Sequence, residues 1–159
     1  MADETKQLRV RLVTPERTLF EHPATSVVLP AKNGYMQVLY GAAPLVAELG
    51  AGDVTVQGAA HGESGAKSEG EPGGPAGDVR YNVSWGFVEV LPDRVTILAT
   101  DALKPEEIDV PRAQQQLERG HKQWNEAGDS EEKYAEALHV IAEAEAKLGS
   151  AAEKLKASV

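Results

Sequence analysis

Residues 26–49, SVVLPAKNGYMQVLYGAAPLVAEL, decide the fold. Val27, Val28 and Leu29 make a short apolar run that ends against Pro30, which has no N–H to give to a strand ladder. Asn33-Gly34 follows, a dipeptide that tolerates positive φ at little cost and so marks a turn. Met36, Val38 and Leu39 resume the extended pattern. Gly41-Ala42-Ala43-Pro44 then breaks it before Leu45, Val46 and Leu49. Three apolar runs punctuated by two turns are a β-meander.

The same rhythm extends on both sides. Leu8, Val10 and Leu12 alternate with Arg9 and Arg11, the period of two expected of a half-buried strand. Further runs centre on residues 18–20, 54–56, 79–83, 87–91 and 95–99, with Leu91-Pro92-Asp93-Arg94 as a tight turn before the last. Short strands at near-regular spacing, about ten of them, read as a β-sandwich or a barrel. Residues 57–78 interrupt the pattern with seven glycines, two prolines and almost no side chain larger than Ala that could be buried. Such a segment cannot offset its ordering entropy, and it reads as a disordered surface insertion. A flexible closed loop gains length at only about 0.6 kcal/mol per doubling, so the sandwich tolerates it.

After Lys104-Pro105 the period becomes helical. Asp109 suits an N-cap, and Pro111 is tolerated in the first turn. Ala113, Leu117, Gly120 and Trp124 fall on one stripe. Gly128 marks a stop, and Asp129 with Glu132 suggests a capping-box start for a second helix. Its stripe reads Tyr134, Leu138, Ile141, Leu148, Ala152 and Leu155, with a break and restart expected at Gly149-Ser150. The chain thus divides into a β-sandwich over residues 1–104 and an antiparallel α-helical hairpin over 105–159. The hairpin carries few large apolar groups. Isolated helices of this length are marginal in water, so its docking should be reversible. The competing reading is a static hairpin that completes a core.

Composition narrows the function. The net charge of −9 opposes nucleic-acid binding, which needs clustered Lys and Arg. Absence of cysteine excludes disulfides and thiolate metal sites and fits a reducing compartment. No apolar run approaches the ~18 residues of a membrane span. Met1-Ala2-Asp3-Glu4 has neither the basic nor the apolar part of a leader. A cytosolic, soluble chain is expected. No catalytic constellation emerges: His22, His61, His121 and His139 are scattered, and neither a nucleophile elbow nor a P-loop is present. Glu118-x-x-His121 and Glu136-x-x-His139 repeat the spacing used in di-iron bundles, but those need two further carboxylate-bearing helices. Solvated helix faces explain both pairs, and no metal is expected.

Four segments, in order, carry a family resemblance: Leu12-Val13-Thr14-Pro15-Glu16, then Ser26–Leu49 with Val38-Leu39-Tyr40-Gly41-Ala42-Ala43-Pro44-Leu45 at its centre, Val83–Val90, and Ile108-Asp109-Val110-Pro111-Arg112-Ala113. Together they resemble the F-type ATP synthase epsilon-subunit family, whose mitochondrial counterpart is called delta. Departures are Tyr40 for the usual Pro, Ala42 for the usual His, and Trp85 for a Gly. The resemblance implies a non-catalytic rotor component of a bacterial enzyme, peripheral on the cytoplasmic face of the cell membrane. It would link the gamma subunit to the membrane rotor ring, couple ion flow to ATP synthesis and restrain ATP hydrolysis through hairpin contacts with alpha and beta subunits. Residues 38–45, which are Val38, Leu39, Tyr40, Gly41, Ala42, Ala43, Pro44 and Leu45, would touch partners, unless this elbow is a buried sandwich corner.

By the same resemblance, Ile108, Asp109, Arg112, Ala113 and, further along, Arg119 would hold ATP as a weak regulatory ligand; no other cofactor is implied. Guanidinium forks suit phosphates. The alternative is that Asp109 only caps the helix while Arg112 makes an ordinary salt bridge. Two departures weaken the site: the second helix has no arginine, and Leu103 stands where some ATP-binding members have an acid. Residues 131–159 hold six acids against four lysines, which disfavours attraction to an acidic partner. Two other classes remain open at this level: a free sandwich module dimerising through its hairpin, and a metal-dependent bundle enzyme.

Overall fold

The computed structural model describes residues 6–59 and 77–157. Most of the Gly-rich insertion, residues 60–76, lies outside them. Eight strands are formed: β1 (Leu8–Val13), β2 (Thr18–Ala24), β3 (Ser26–Ala31), β4 (Gly34–Leu39), β5 (Leu45–Leu49), β6 (Gly52–Gln57), β7 (Val79–Val90) and β8 (Arg94–Leu103). A 3-10 turn at Pro105–Glu107 leads into α1 (Val110–Glu126) and α2 (Glu131–Ala157). The strand order is β2-β1-β8-β7-β5-β3-β4, with β6 bridging β3 and β7. All neighbours are antiparallel except β1 and β8. Pro23 falls on the edge strand β2, where a missing N–H costs no ladder bond.

The count is eight among the described residues, against about ten expected, chiefly because two apolar runs are one strand. Val79–Val83 and Phe87–Val90 join through Ser84-Trp85-Gly86 into the 12-residue β7. Trp85 (φ 53) and Gly86 (φ 125) turn the chain without ending it. The first half of β7 pairs with β6 and the second half with β5. Inward-facing residues change parity across this point, from Tyr81 and Val83 to Val88 and Val90. The neighbours bend at the same level: β5 gives way to β6 at Gly50-Ala51, and β8 changes parity between Ala99 and Ala102. The Trp85 N–H donates to the Gly50 carbonyl at 3.3 Å across the fold line. A β-carbon on Gly86 would overlap the Leu98 carbonyl oxygen, so only glycine fits.

Leu8, Val10, Leu12, Val27, Leu29, Val54, Val83, Val88, Val95 and Ile97 fill the space between the layers and are fully buried or nearly so. The alternation expected for β1 is present, with Arg9 and Arg11 outside. In β7 it fails in one half only. Residues 81–84 are all buried, because α2 covers their outer face, whereas Phe87 and Glu89 are exposed where nothing does.

The helices pair along small residues. Ala113, Gly120 and Ala127 face Ala137 and Ala144, and a β-carbon on Gly120 would come within 2.7 Å of Ile141 Cγ1. The expected stripe of α2 holds at Tyr134, Ile141 and Leu148, which are half-buried, and is corrected at its other positions. Ala137, Ala144 and Ala151 are buried with Ser150, while Leu138, Ala152 and Leu155 are exposed. Close axial approach selects small side chains for the seam, and a reading weighted toward leucine points to the adjacent row. No break occurs at Gly149-Ser150; α2 runs unbroken for 27 residues. Its cap is Ser130, whose hydroxyl accepts from the Lys133 N–H at 3.4 Å, rather than Asp129. Gly128 (φ 59) follows the C-cap Ala127 and stops α1, as expected, opening the turn to α2.

Gly86→Ala should therefore lower unfolding stability by more than about 3 kcal/mol, since strain at positive φ adds to a backbone clash. Gly149→Ala, with open space around it, should raise stability by about 0.5–1 kcal/mol. Urea unfolding of both variants checks the pair.

Candidate functional site

The last residues of β8, the 3-10 turn, α1 and α2 enclose an open cavity of about 890 Å³. Asp109 begins it: its side chain accepts from the Arg112 N–H at 3.1 Å and caps α1, fixing the bend that turns the chain away from the sandwich. Ile108 and Ala113 are buried at this bend, and Arg112 and Arg119 line the cavity from positions about two turns apart on α1. All five residues singled out in the sequence thus line one cavity. Arg112 does not make the salt bridge of the alternative reading: neither guanidinium pairs with a carboxylate among the described residues.

The opposite wall comes from α2, which sequence reasoning treated only as a shortage of arginine. Lys147 enters the cavity but is already engaged. Its Nζ lies 2.7 Å from Glu143 Oε1 and 3.5 Å from Asp101 Oδ2, with only 15% of its side chain exposed. Burial alone would raise the Glu143 pKa. Lys147, by hydrogen bond and charge, together with the side chains of Gln116 and Trp85, outweighs it and holds the carboxyl below the ordinary range. Glu143 thus accepts a hydrogen bond from Lys147 on its own helix and is stabilised as an anion by the polar side chains of Gln116 on α1 and Trp85 on β7. The i,i+4 spacing of Glu143 and Lys147 was legible; the approach of Asp101 and Trp85 was not.

Around this point α2 lies against the first half of β7. Asn82 Nδ2 donates to the Ala146 carbonyl at 3.2 Å and to Asp53 Oδ1 at 3.0 Å. Arg80 joins Asp53 and Glu153. The Trp85 indole stacks on His139 with centroids 3.8 Å apart and planes 12° from parallel. Ser84 and Ser150 bury hydroxyls that find no partner among the described residues. Each such group costs about 1–3 kcal/mol, so this face is well directed but not tightly held.

The residues of the elbow sit at the far end of the sandwich. Val38 is buried and Ala42 half-buried, while Leu39, Tyr40, Gly41, Ala43, Pro44 and Leu45 are exposed. Gly41 N–H donates to the Pro92 carbonyl at 2.6 Å, which ties the elbow to the turn between β7 and β8. Beside it, Val46, Phe87 and Leu98 are 72%, 53% and 49% exposed on the outer sheet face, with Phe87 and Leu98 directly opposite each other. Glu118, His121, Glu136 and His139 are exposed on their helices, and no three metal-ligating side chains gather among the described residues.

Residues 7–70 match the family model described as ATP synthase, Delta/Epsilon chain, beta-sandwich domain. An ATP synthase epsilon chain from Solibacter usitatus is 38% identical over 149 residues, covering 92% of this chain and 97% of that one. The chain belongs to the ATP synthase epsilon-chain family. Another epsilon chain, from Koribacter versatilis, is 37% identical over 118 residues, 74% of this chain and 71% of that one. The fold is similar to a chain in the cryo-EM structure of the Euglena gracilis mitochondrial ATP synthase, with a TM-score of 0.66 at 20% identity, over 89% of this chain and 79% of that one. No helix among the described residues is long and apolar enough to cross a membrane.

The depressed Glu143 carboxyl sets an expected pH dependence. A pKa lower in the folded state stabilises fully above the ordinary carboxylate value of 4.5 and is lost as pH falls through the depressed value. The hairpin should loosen below that range, and Glu143→Gln should remove its share of the acid loss. Thermal unfolding followed from neutral pH to about pH 3 measures both limbs.

Proposed function

We propose that the chain is the rotor subunit that joins gamma to the membrane ring of a bacterial ATP synthase, on the cytoplasmic face, and takes no part in bond making. The observation that carries this reading is the exposed apolar surface formed by Leu39, Tyr40, Leu45, Val46, Phe87 and Leu98. Six large apolar groups at one end and one face of the sandwich, outside a complete core, are a cost in water that partner burial removes. The elbow is the best candidate for the ring, and the outer sheet face around Phe87 for gamma. The two-part organisation follows: residues 1–104 bind the stalk, and the hairpin over 105–159 docks on them and regulates.

The cavity is proposed as a weak nucleotide site. Arg112 and Arg119 offer two unpaired guanidinium groups from one side, while Lys147 is already taken up by Glu143 and Asp101. A phosphate chain clamped from one wall binds poorly, and affinity for ATP should be no better than about millimolar, roughly −4 kcal/mol. With six acids against four lysines from residue 131 onward, restraint of hydrolysis through an acidic partner should be mild.

Co-purification with a gamma subunit tests the main reading. The full chain should form a stoichiometric complex, and Phe87→Glu with Leu98→Glu should weaken it at least about a hundredfold, the loss of two buried apolar anchors. Leu138→Glu, on the outside of α2, should leave it unchanged. A complex indifferent to the charges at 87 and 98 would move gamma to another face. Failure of the unmodified chain to bind gamma would remove the stalk assignment.

A further inference from the structure

The grouping around Glu143 points to a property that a search for a ligand in the cavity would miss. The carboxylate belongs to α2, and its bond to Lys147 holds that ammonium between α2 and the end of β8. Lys147 approaches from one turn along the same helix, Gln116 from α1, and Trp85 from the fold line of β7. Lys147 passes the connection on to Asp101 at the end of β8. A carboxylate that fixes a lysine shared with another strand ties its own helix to that strand, because charge-assisted bonds are stronger than neutral ones. The chain supplies this anion itself, against the wall of the cavity where a phosphate would otherwise meet Lys147.

We propose that Glu143 is a built-in anion that positions the helical hairpin on the sandwich, so that docking needs no bound nucleotide. The far end of α2 repeats the arrangement. There Glu153 reaches Arg80, which also holds Asp53 on β6. Two of the six acids from residue 131 onward, Glu143 and Glu153, are thereby engaged in the contacts that α2 makes with the sandwich. Docking by internal carboxylates is independent of whether the cavity takes a nucleotide at all, since Arg112 and Arg119 lie on the other wall and have no part in it.

Trp85 reports on the docked state because it stacks on His139 only there. In the full chain carrying Trp124→Phe, Trp85 is the single indole. Its emission and its accessibility to acrylamide, together with protease cleavage of the hairpin, give the docked fraction. Without nucleotide the hairpin should be docked, and ATP at millimolar concentration should not change the signal. Glu143→Ala should shift the docking equilibrium about tenfold toward release, as expected for loss of a charge-assisted bond, and acetate or inorganic phosphate should restore it. Glu143→Gln and Lys147→Met, which keep the volume, should shift it in the same direction with far-UV circular dichroism unchanged. These two decide the matter if the alanine variant does not fold. A parent chain that docks only when ATP is added, or a set of Glu143 and Lys147 variants that dock as the parent does, would overturn the proposal. Weak ATP binding with the hairpin already docked would uphold it even if the nucleotide reading of the cavity failed.

Discussion

The bend through Trp85-Gly86 is the constraint on which the rest of this molecule depends. A flat β7 could not pair with β6 along one half and β5 along the other, nor could three neighbouring strands exchange inward for outward faces at one level. Gly86 makes the bend possible by lying against the Leu98 carbonyl, where any side chain would collide. Trp85 occupies the left-handed region at a cost of about 1–2 kcal/mol for a residue with a β-carbon. The return on that strain is visible in its contacts: the indole leaves the sheet to stack on His139 and to approach Glu143. Core geometry and hairpin docking are thus decided by the same two residues.

Polar character at the docked face separates it from the core. The sandwich is sealed by fully buried Val, Leu and Ile, whereas α2 meets β7 through Arg80, Asn82, Ser84 and Trp85. Hydrogen bonds of this kind contribute about 0.5–1.5 kcal/mol each when satisfied. The two unpaired hydroxyls of Ser84 and Ser150 offset part of that sum. An interface assembled from directed but individually modest bonds fixes one arrangement of the hairpin.

Much of this was legible in the sequence where the signal is local. The period of two in Leu8, Val10 and Leu12, the turn at Asn33-Gly34 and the Asp109 cap all depend on neighbours within a few residues, and the structure contains each. Ile108, Asp109, Arg112, Ala113 and Arg119, singled out by family resemblance, are five of the residues that line the cavity. Long-range contributions were missed. Ser84-Trp85-Gly86 reads as a strand break, since a bend within a continuous strand needs partners on both sides to be recognised. The alanine seam of the hairpin lacks the large side chains that make a stripe stand out. In the sequence Lys147 is only one of four lysines from residue 131 onward, because nothing in its own helix foretells Asp101 on β8. Trp85 in a position where a glycine is usual was the one clue to this interface, and its meaning depends on His139, more than fifty residues away.

Amide hydrogen exchange in the Trp85→Gly variant tests the central claim most directly, because glycine relieves the backbone strain while removing the indole. The account predicts that amides of α2 facing β7, from about residue 139 to 150, exchange roughly tenfold faster, while those of β7 and β8 keep or gain protection. Unchanged protection of α2, with or without a loss in the sandwich, would contradict it and place the seat of the hairpin elsewhere.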